Sequence, residues 1–144
     1  MKITLESARL PETEVIIRGD IGSSEVLTLM QLLQKKVSDK IVLYREDEQF
    51  IIPAGDLVFL ETSGNKLLAY TQSDCYEAKL KLYEMKAQLS THPFAQISKS
   101  TLVNIDHVKS IQAEFSGNYR IRLKSRKESL TVSRKYFKEF KDRI

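Results

Sequence analysis

From residue 40 onward, short apolar runs alternate with turn residues, and this pattern constrains the fold more than any other feature of the chain. The runs are rich in β-branched and aromatic residues, which is typical of antiparallel strands joined by tight turns. Ser63-Gly64-Asn65 and Ser116-Gly117-Asn118 repeat the same turn chemistry. The sequence therefore predicts a mostly β fold with short helices, of the α+β class. The predicted strands cover residues 41–44, 50–52, 57–61, 67–71, 75–77, 94–97, 108–113, 119–124 and 129–132.

Residues 1–37 are interpreted as a small strand–strand–helix unit that precedes a larger domain, residues 38–144. Residues 1–6 and 12–18 have the apolar content of strands, and Ser23 or Ser24 can cap a following helix. Such a unit is too small to be stable alone, so we expect it to pack on the larger domain or on a second copy of itself. Its predicted role is assembly or regulation. Its helix has one apolar stripe, formed by Val26, Leu29, Met30, Leu33 and Val37.

Two further helices are predicted in the larger domain. Residues 79–89 have two apolar stripes, which predicts a helix lying between two surfaces. One stripe consists of Leu82, Met85 and Leu89, and the other of Leu80, Tyr83 and Ala87. A short closing helix is predicted from Arg134, with Ser133 as its N-cap. Its inward face is predicted to consist of Tyr136, Phe140 and Ile144.

Positive charge is concentrated in the last third of the chain. Residues 1–36 have a net charge of zero and residues 37–90 a net charge of −3, whereas residues 91–144 have a net charge of +7. This asymmetry is expected when one face of a protein meets a polyanion. Charge alone is equally consistent with a solvated basic surface.

The sequence offers little for catalysis or for a metal. The two histidines, His92 and His107, have no plausible nucleophile or second ligand at a recognisable spacing, and there is no Gly-rich phosphate loop. A single cysteine, Cys75, excludes an internal disulfide, and its alternating context predicts that it is buried. We therefore expect a non-enzymatic protein without a cofactor. With no signal peptide or membrane-length apolar run, the expected location is the cytoplasm.

Two segments place cations beside small hydroxyl side chains at the ends of apolar runs. They are Ser98-Lys99-Ser100 and Ser133-Arg134-Lys135. Such segments can offer a backbone amide, a hydroxyl and a charge to phosphate together. Asn65 and Lys66, at a predicted hairpin tip, are the polar and basic pair that the acidic middle region would project outward. Asn104 is interpreted as structural, closing a turn after Val103.

In their order and spacing, these segments resemble the LytTR family of bacterial DNA-binding domains. The resemblance covers roughly residues 40–144, and it includes the strand at 57–61, the helix at 80–89, the segment 94–104 and Val132-Ser133-Arg134. It implies a compact, mostly antiparallel β fold that reads promoter DNA at paired short repeats. In such domains, loops and not a recognition helix enter successive major grooves.

The resemblance implies DNA contacts from three loops of this chain. They are Asn65 with Lys66, Ser98 with Lys99, and Ser133 with Arg134 and Lys135. Gln96 stands where a basic residue is frequent in the family. The segment before residue 38 is too short for a receiver domain, so the chain is similar to stand-alone LytTR regulators, which often act beside a restraining membrane protein. A homodimer or a side-by-side pair on double-stranded DNA is the implied assembly.

Two other functions remain compatible with the sequence. The basic face could meet an acidic partner protein, or it could bind RNA. The absence of an aromatic cluster beside the basic residues disfavours RNA and single strands. A steep dependence of affinity on salt, with preference for a specific duplex over random DNA, would separate DNA binding from protein binding.

Overall fold

In a computed structural model of the protein, residues 1–34 and 40–144 are described, and the chain divides into two compact units, Met1–Lys36 and Val37–Ile144. The first unit contains helix α1, Ser24–Gln34. Ser23 caps it, since its Oγ accepts a hydrogen bond from the Val26 amide at 3.3 Å. The predicted helix is therefore confirmed, although Val37 of the predicted stripe lies outside the described residues.

The two strands predicted near the N-terminus are wrong. Residues 1–18 contain no strand, and their apolar side chains are largely exposed; Val15 and Ile16, for example, are each 65% exposed. An apolar pattern is not sufficient for a strand, because the backbone N–H and C=O groups also need a neighbouring strand to pair with.

The described part of the second unit contains ten strands and two α-helices. The strands form a seven-stranded sheet in the order β2-β1-β5-β4-β3-β7-β6 and a three-stranded sheet in the order β10-β9-β8, with antiparallel pairing throughout. The elements are β1 Lys40–Arg45, β2 Glu48–Pro53, β3 Phe59–Ser63, β4 Lys66–Tyr70, β5 Cys75–Ala78, α2 Leu82–Gln88, β6 Phe94–Ser98, β7 Thr101–Asn104, β8 Val108–Ala113, β9 Tyr119–Leu123, β10 Ser129–Val132 and α3 Phe137–Asp142.

The predicted mostly β fold is confirmed, but β7 was not predicted as a strand. All four of its residues are buried, so its sequence has no alternation of apolar and polar side chains. A short buried run of this kind cannot be assigned from periodicity. It pairs with β3 on one side and with β6 on the other, which places it inside the large sheet.

The large sheet is buried on both faces near its β3-β7-β6 end. Successive residues of β3 illustrate this, because Leu60 belongs to one buried cluster and Phe59 to the other. The first cluster includes Met85 and Leu89, from α2 and its C-cap. The second joins the large sheet to the three-stranded sheet and α3 through a further set of buried side chains, Ala95, Ile97, Val103, Ile121, Leu123, Val132 and Phe140.

Three predictions about burial are wrong in part. In the stripe that contains Met85, Met85 and Leu89 are buried and Leu82 is partly buried, but Leu80 and Tyr83 of the other stripe are 37% and 71% exposed. Helix α2 therefore packs on one surface only. On α3, Phe140 is buried as predicted whereas Ile144 is 69% exposed, because the helix ends at Asp142. Cys75 is exposed rather than buried, since it lies on the outward side of β5.

Asn104 has the predicted structural role. Its Nδ2 donates to the Leu57 carbonyl at 2.9 Å and its Oδ1 accepts from the Asp106 amide at 3.1 Å, while the residue is 1% exposed. The side chain therefore fixes the chain entering β3 and the chain leaving β7.

Replacing Asn104 with Ala is expected to lower the free energy of unfolding by about 1–3 kcal/mol, because the buried Leu57 carbonyl and the partly buried Asp106 amide both lose their partner. Urea denaturation measures this change. The matched control is Asn65→Ala in an exposed turn, for which a change within about 0.5 kcal/mol is expected. Equal changes in the two variants would contradict the structural role of Asn104.

Candidate nucleic-acid interface

Four turns lie at one end of the second unit, and together we call them the loop edge. Neighbouring strands are antiparallel, so the turns that join alternate strands emerge at the same end of a sheet. Three of the turns contain the cations singled out in the sequence, and the fourth supports them. The loop edge consists of residues 63–66, 98–100, 114–118 and 133–136.

Three hydrogen bonds link these turns to one another. The Thr62 amide donates to the Ser100 carbonyl at 2.8 Å, which joins the first turn to the second. The Ser133 amide donates to the Ile97 carbonyl at 2.9 Å, which joins the second turn to the last. The third bond, described below, joins the last turn to the β8–β9 turn. Two backbone hydrogen bonds and one bond to a side chain thus bring the sequence-predicted residues to one end of the unit.

The Ser63–Lys66 turn is a tight hairpin turn. Ser63 pairs with Lys66, and Gly64 has a φ of +63° at the first central position, as a type II′ turn requires. Both Asn65 and Lys66 are exposed. They line a concavity of about 610 Å³ together with Lys79 and three further polar or charged residues, Thr62, Glu77 and Lys81. Lys79 and Lys81 are cations beside this turn that sequence reasoning did not assign to the site.

The Ser98–Ser100 turn is held by its own hydroxyl groups. The Ser100 amide donates to Ser98 Oγ at 3.2 Å, and the two hydroxyl oxygens are 3.4 Å apart. Lys99 at the tip is exposed, whereas the two serines are partly buried. The hydroxyl groups therefore order the turn, and Lys99 is the group that the turn presents to solvent.

The side chain of Gln96 stabilises this turn. Its Nε2 donates to the Ser98 carbonyl at 2.9 Å, and its Oε1 accepts from Lys86 Nζ at 3.2 Å. Lys86 in turn makes an ion pair with Glu139 at 2.7 Å. Both polar groups of the Gln96 side chain are therefore hydrogen-bonded within the domain. Through Lys86 and Glu139, these contacts connect the turn with α2 and α3.

The predicted cap of the last helix is wrong. Ser133 is not an N-cap, since α3 begins only at Phe137, and residues 134–136 form a turn closed by the Tyr136 amide donating to the Ser133 carbonyl at 2.9 Å. Arg134 and Lys135 therefore lie in this turn and not in the first turn of a helix. Both residues are exposed.

Arg134 is supported by the β8–β9 turn, which sequence reasoning did not assign to the site. The Arg134 amide donates to Asn118 Oδ1 at 3.1 Å. Gly117 has a φ of +88°, and a Cβ built on it would lie 3.5 Å from Cδ and Nη1 of Arg134. The arginine side chain therefore packs directly over the glycine. The repeated Ser-Gly-Asn turn was visible in the sequence, but its contact with Arg134 depends on the pairing of β9 with β10.

Within residues 1–34 and 40–144, the exposed cations of the loop edge have no carboxylate partner. In the described residues, none of the four forms an ion pair; they are Lys66, Lys99, Arg134 and Lys135. These four residues lie on three separate turns. This end of the unit therefore presents several positive charges and exposed hydrogen-bond donors to an anionic surface.

A second group of cations surrounds a concavity of about 400 Å³ on the three-stranded sheet. Some of them are occupied: Arg126 Nη1 donates to the Thr71 carbonyl at 2.7 Å, and Arg126 also pairs with Glu128. Burial alone would raise the pKa of Glu128, but hydrogen bonds from the backbone and from Arg126 hold it below its usual value. The group consists of Lys109, Arg120, Arg122, Arg126 and Lys127.

Neither a metal site nor a membrane span is found in the described ranges. Over residues 1–34 and 40–144, no group of three or more His, Cys, Asp and Glu side chains is placed to hold a metal ion. No helix in these ranges combines the length and the apolar content needed to cross a membrane.

A mostly antiparallel β domain with exposed cations on turns at one end, unpaired among the described residues, is suited to contact with a polyanion such as nucleic acid. Residues 47–144 match the family described as the LytTr DNA-binding domain. The chain belongs to this LytTR family. Membership supports DNA binding and transcriptional regulation as its activity, and the family is defined by DNA binding and not by catalysis.

Relatives and a solved structure agree with this assignment. A protein of Staphylococcus aureus (strain NCTC 8325 / PS 47), named as an HTH-type transcriptional regulator, is 31% identical over 92% of this chain and 91% of its own length. A protein of Staphylococcus aureus (strain MRSA252), likewise named as an HTH-type transcriptional regulator, is 30% identical over the same shares. A LytTr DNA-binding domain from Bacillus cereus has the same fold, with a TM-score of 0.68 at 21% identity over 74% of this chain and 96% of that chain. No receiver domain is evident in the part of the chain that the structure describes.

Proposed function

We propose that the protein binds specific double-stranded promoter DNA through the loop edge and thereby regulates transcription. The observation that supports this proposal best is the set of four exposed cations, on three turns, that lack carboxylate partners among the described residues. Separate narrow turns at one end of a domain can enter a groove that is about 12 Å wide in B-DNA. On binding, these unpaired cations then replace the counterions of the phosphates.

Each turn has a proposed part in the contact. Arg134 reads a guanine edge, since its guanidinium matches the O6 and N7 acceptors with two hydrogen bonds. Lys99 and Lys135 contact phosphates. Asn65 and Lys66 contact the neighbouring groove from their hairpin tip. Ser98 and Ser133 are assigned a smaller part: the Ser98 Oγ is engaged within its own turn, and the Ser133 amide and carbonyl are both used in the fold.

The contact does not need a recognition helix. In the described residues, every α-helix is separated from the next by strands, so no two consecutive helices can form a helix-turn-helix. The term HTH (helix-turn-helix) in the names of the relatives therefore does not describe how we propose that this chain contacts DNA. Entry of turns into successive major grooves is the arrangement that we propose.

We further propose that residues 1–36 assemble two copies on paired repeats. On α1, Val26 is buried, but Met30 and Leu33 of the same stripe are 40% and 59% exposed. A second copy that covers this stripe would link two half-site contacts, which raises affinity without new base contacts. A restraining membrane partner, which the family resemblance also implies, would compete for this stripe in the cytoplasm.

A selection from random duplexes with the purified protein tests the proposed function directly. Enrichment of paired short repeats, whose binding weakens linearly in log–log salt, is the expected result. Equal recovery of random DNA would contradict specific binding. Preference for an acidic protein over any duplex would favour a protein-interaction module instead.

Arg134→Ala is expected to weaken binding to the selected duplex by about 1–3 kcal/mol and to relax preference at one base position. Arg134→Lys is the companion variant, because it keeps the charge but loses the two-pronged hydrogen bonding. Titration against duplexes substituted at each position measures both effects. Unchanged affinity in a variant with an unchanged melting curve would refute this role.

Lys99→Ala and Lys135→Ala are each expected to weaken binding to specific and to random DNA equally. Each should also reduce the slope of log affinity against log salt concentration by about one unit. The control is Lys138→Ala on α3, an exposed lysine outside the loop edge that should leave the slope unchanged. A changed base preference with an unchanged slope would show that the assigned lysine does not contact phosphate.

Met30→Glu combined with Leu33→Glu is expected to abolish self-association and to lower affinity for paired repeats at least tenfold, while affinity for one half-site is retained. Thr28→Glu with Gln31→Glu adds the same charge on the opposite side of α1 and serves as the control. Sedimentation and titration on half and full sites measure the effects. Loss of half-site binding in a folded protein would place residues 1–36 in the DNA surface.

A further inference from the structure

Phe115 lies at the tip of the β8–β9 turn with its ring in solvent. It is 113% exposed, the highest value among the large hydrophobic residues of the described ranges. The other exposed aromatic residue, Tyr83 on α2, is 71% exposed. A phenyl ring without a polar group gains nothing from water. Single exposed apolar residues are common on protein surfaces, so the feature that distinguishes Phe115 is its place on the turn that contacts Arg134.

The exposure does not come from a loosely held turn. The Glu114 amide donates to the Asn118 carbonyl at 2.9 Å, and the Gly117 amide donates to the Glu114 carbonyl at 3.1 Å. Glu114 also makes an ion pair with Arg120 at 3.1 Å, which fixes the base of the turn. The backbone that carries Phe115 is thus defined by contacts at both ends of the turn.

The same turn supports Arg134. Asn118 accepts a hydrogen bond from the Arg134 amide, and Gly117 is the surface on which the Arg134 side chain lies. Phe115 is two residues from that glycine. A base that Arg134 reaches would therefore lie close to the ring, because both groups project from one cross-linked pair of turns.

The surroundings of the ring favour bases over a protein as its partner. Its chain neighbours are Glu114, whose carboxylate is paired with Arg120, and Ser116, while Arg134 lies on the adjoining turn. The β8–β9 turn has no second exposed large hydrophobic residue. Protein docking sites are larger apolar patches with few charges at their centre. A single apolar side chain among cations is instead the arrangement with which DNA-binding proteins press against or between base pairs.

We propose that Phe115 is a DNA-contacting residue that presses its ring against a base step beside the base read by Arg134 and partly unstacks it. This inference rests on the proposed function. It adds an apolar contact from a fourth turn to the polar contacts of the other three. It also predicts local distortion of the duplex, which the polar contacts alone do not require.

Phe115→Ala is the principal test, and because the ring is fully exposed the melting curve should not change. Affinity for the selected duplex should fall about tenfold, since an aromatic contact to a base has about that worth, and the salt slope should stay the same. Phe115→Tyr keeps the ring and should bind nearly as well as the natural protein. Tyr83→Ala removes an exposed aromatic side chain on α2 and should have no effect.

Unstacking is measured by the fluorescence of 2-aminopurine. Separate duplexes contain this base at each step beside the base whose preference is lost in Arg134→Ala. The natural protein should raise the fluorescence at one step, and Phe115→Ala should not. Unchanged affinity with no fluorescence change overturns the inference while leaving the proposed function intact. Loss of self-association without DNA in Phe115→Ala would assign the ring to a second copy and also overturns it. Failure of the natural protein to bind any selected duplex overturns the proposed function itself.

Discussion

The burial of β3, β7 and β6 on both faces is the constraint on which the rest of the domain depends. Because successive side chains such as Phe59 and Leu60 enter opposite buried clusters, this end of the sheet must be covered twice. Helix α2 covers one face, and the three-stranded sheet with α3 covers the other. The two sheets therefore meet at β6, where the Ser133 amide bonds to the Ile97 carbonyl, and their turns emerge at a common end.

Stability and the proposed recognition use different atoms of the same turns. The turns are ordered by backbone groups, by the Ser98 hydroxyl and by the side chains of Gln96 and Asn118, which are all engaged within the protein. The cations Lys99 and Arg134 stay exposed. An exposed charged side chain that takes no part in folding can pair with a ligand without loss of protein stability, which suits a surface whose partner is a polyanion.

The sequence predicted most of the strands of the larger domain and the positions of three turns, because alternation and turn residues are local signals. It failed where the outcome depends on distant contacts. Residues 1–18 have apolar runs but no partner strand, and β7 is buried on both faces and so does not alternate. The support of Arg134 by Asn118 could not be predicted, since it arises from the pairing of β9 and β10 and not from spacing in the chain.

The fold holds position 134 by its main chain. Asn118 accepts from the Arg134 amide, a group that every residue except proline possesses, and Gly117 leaves room beneath whatever side chain lies there. A different residue at position 134 would consequently be displayed from the same place. Over evolutionary time, or in deliberate redesign, the chemistry displayed at this point could diverge by single substitutions while the scaffold below it stayed the same.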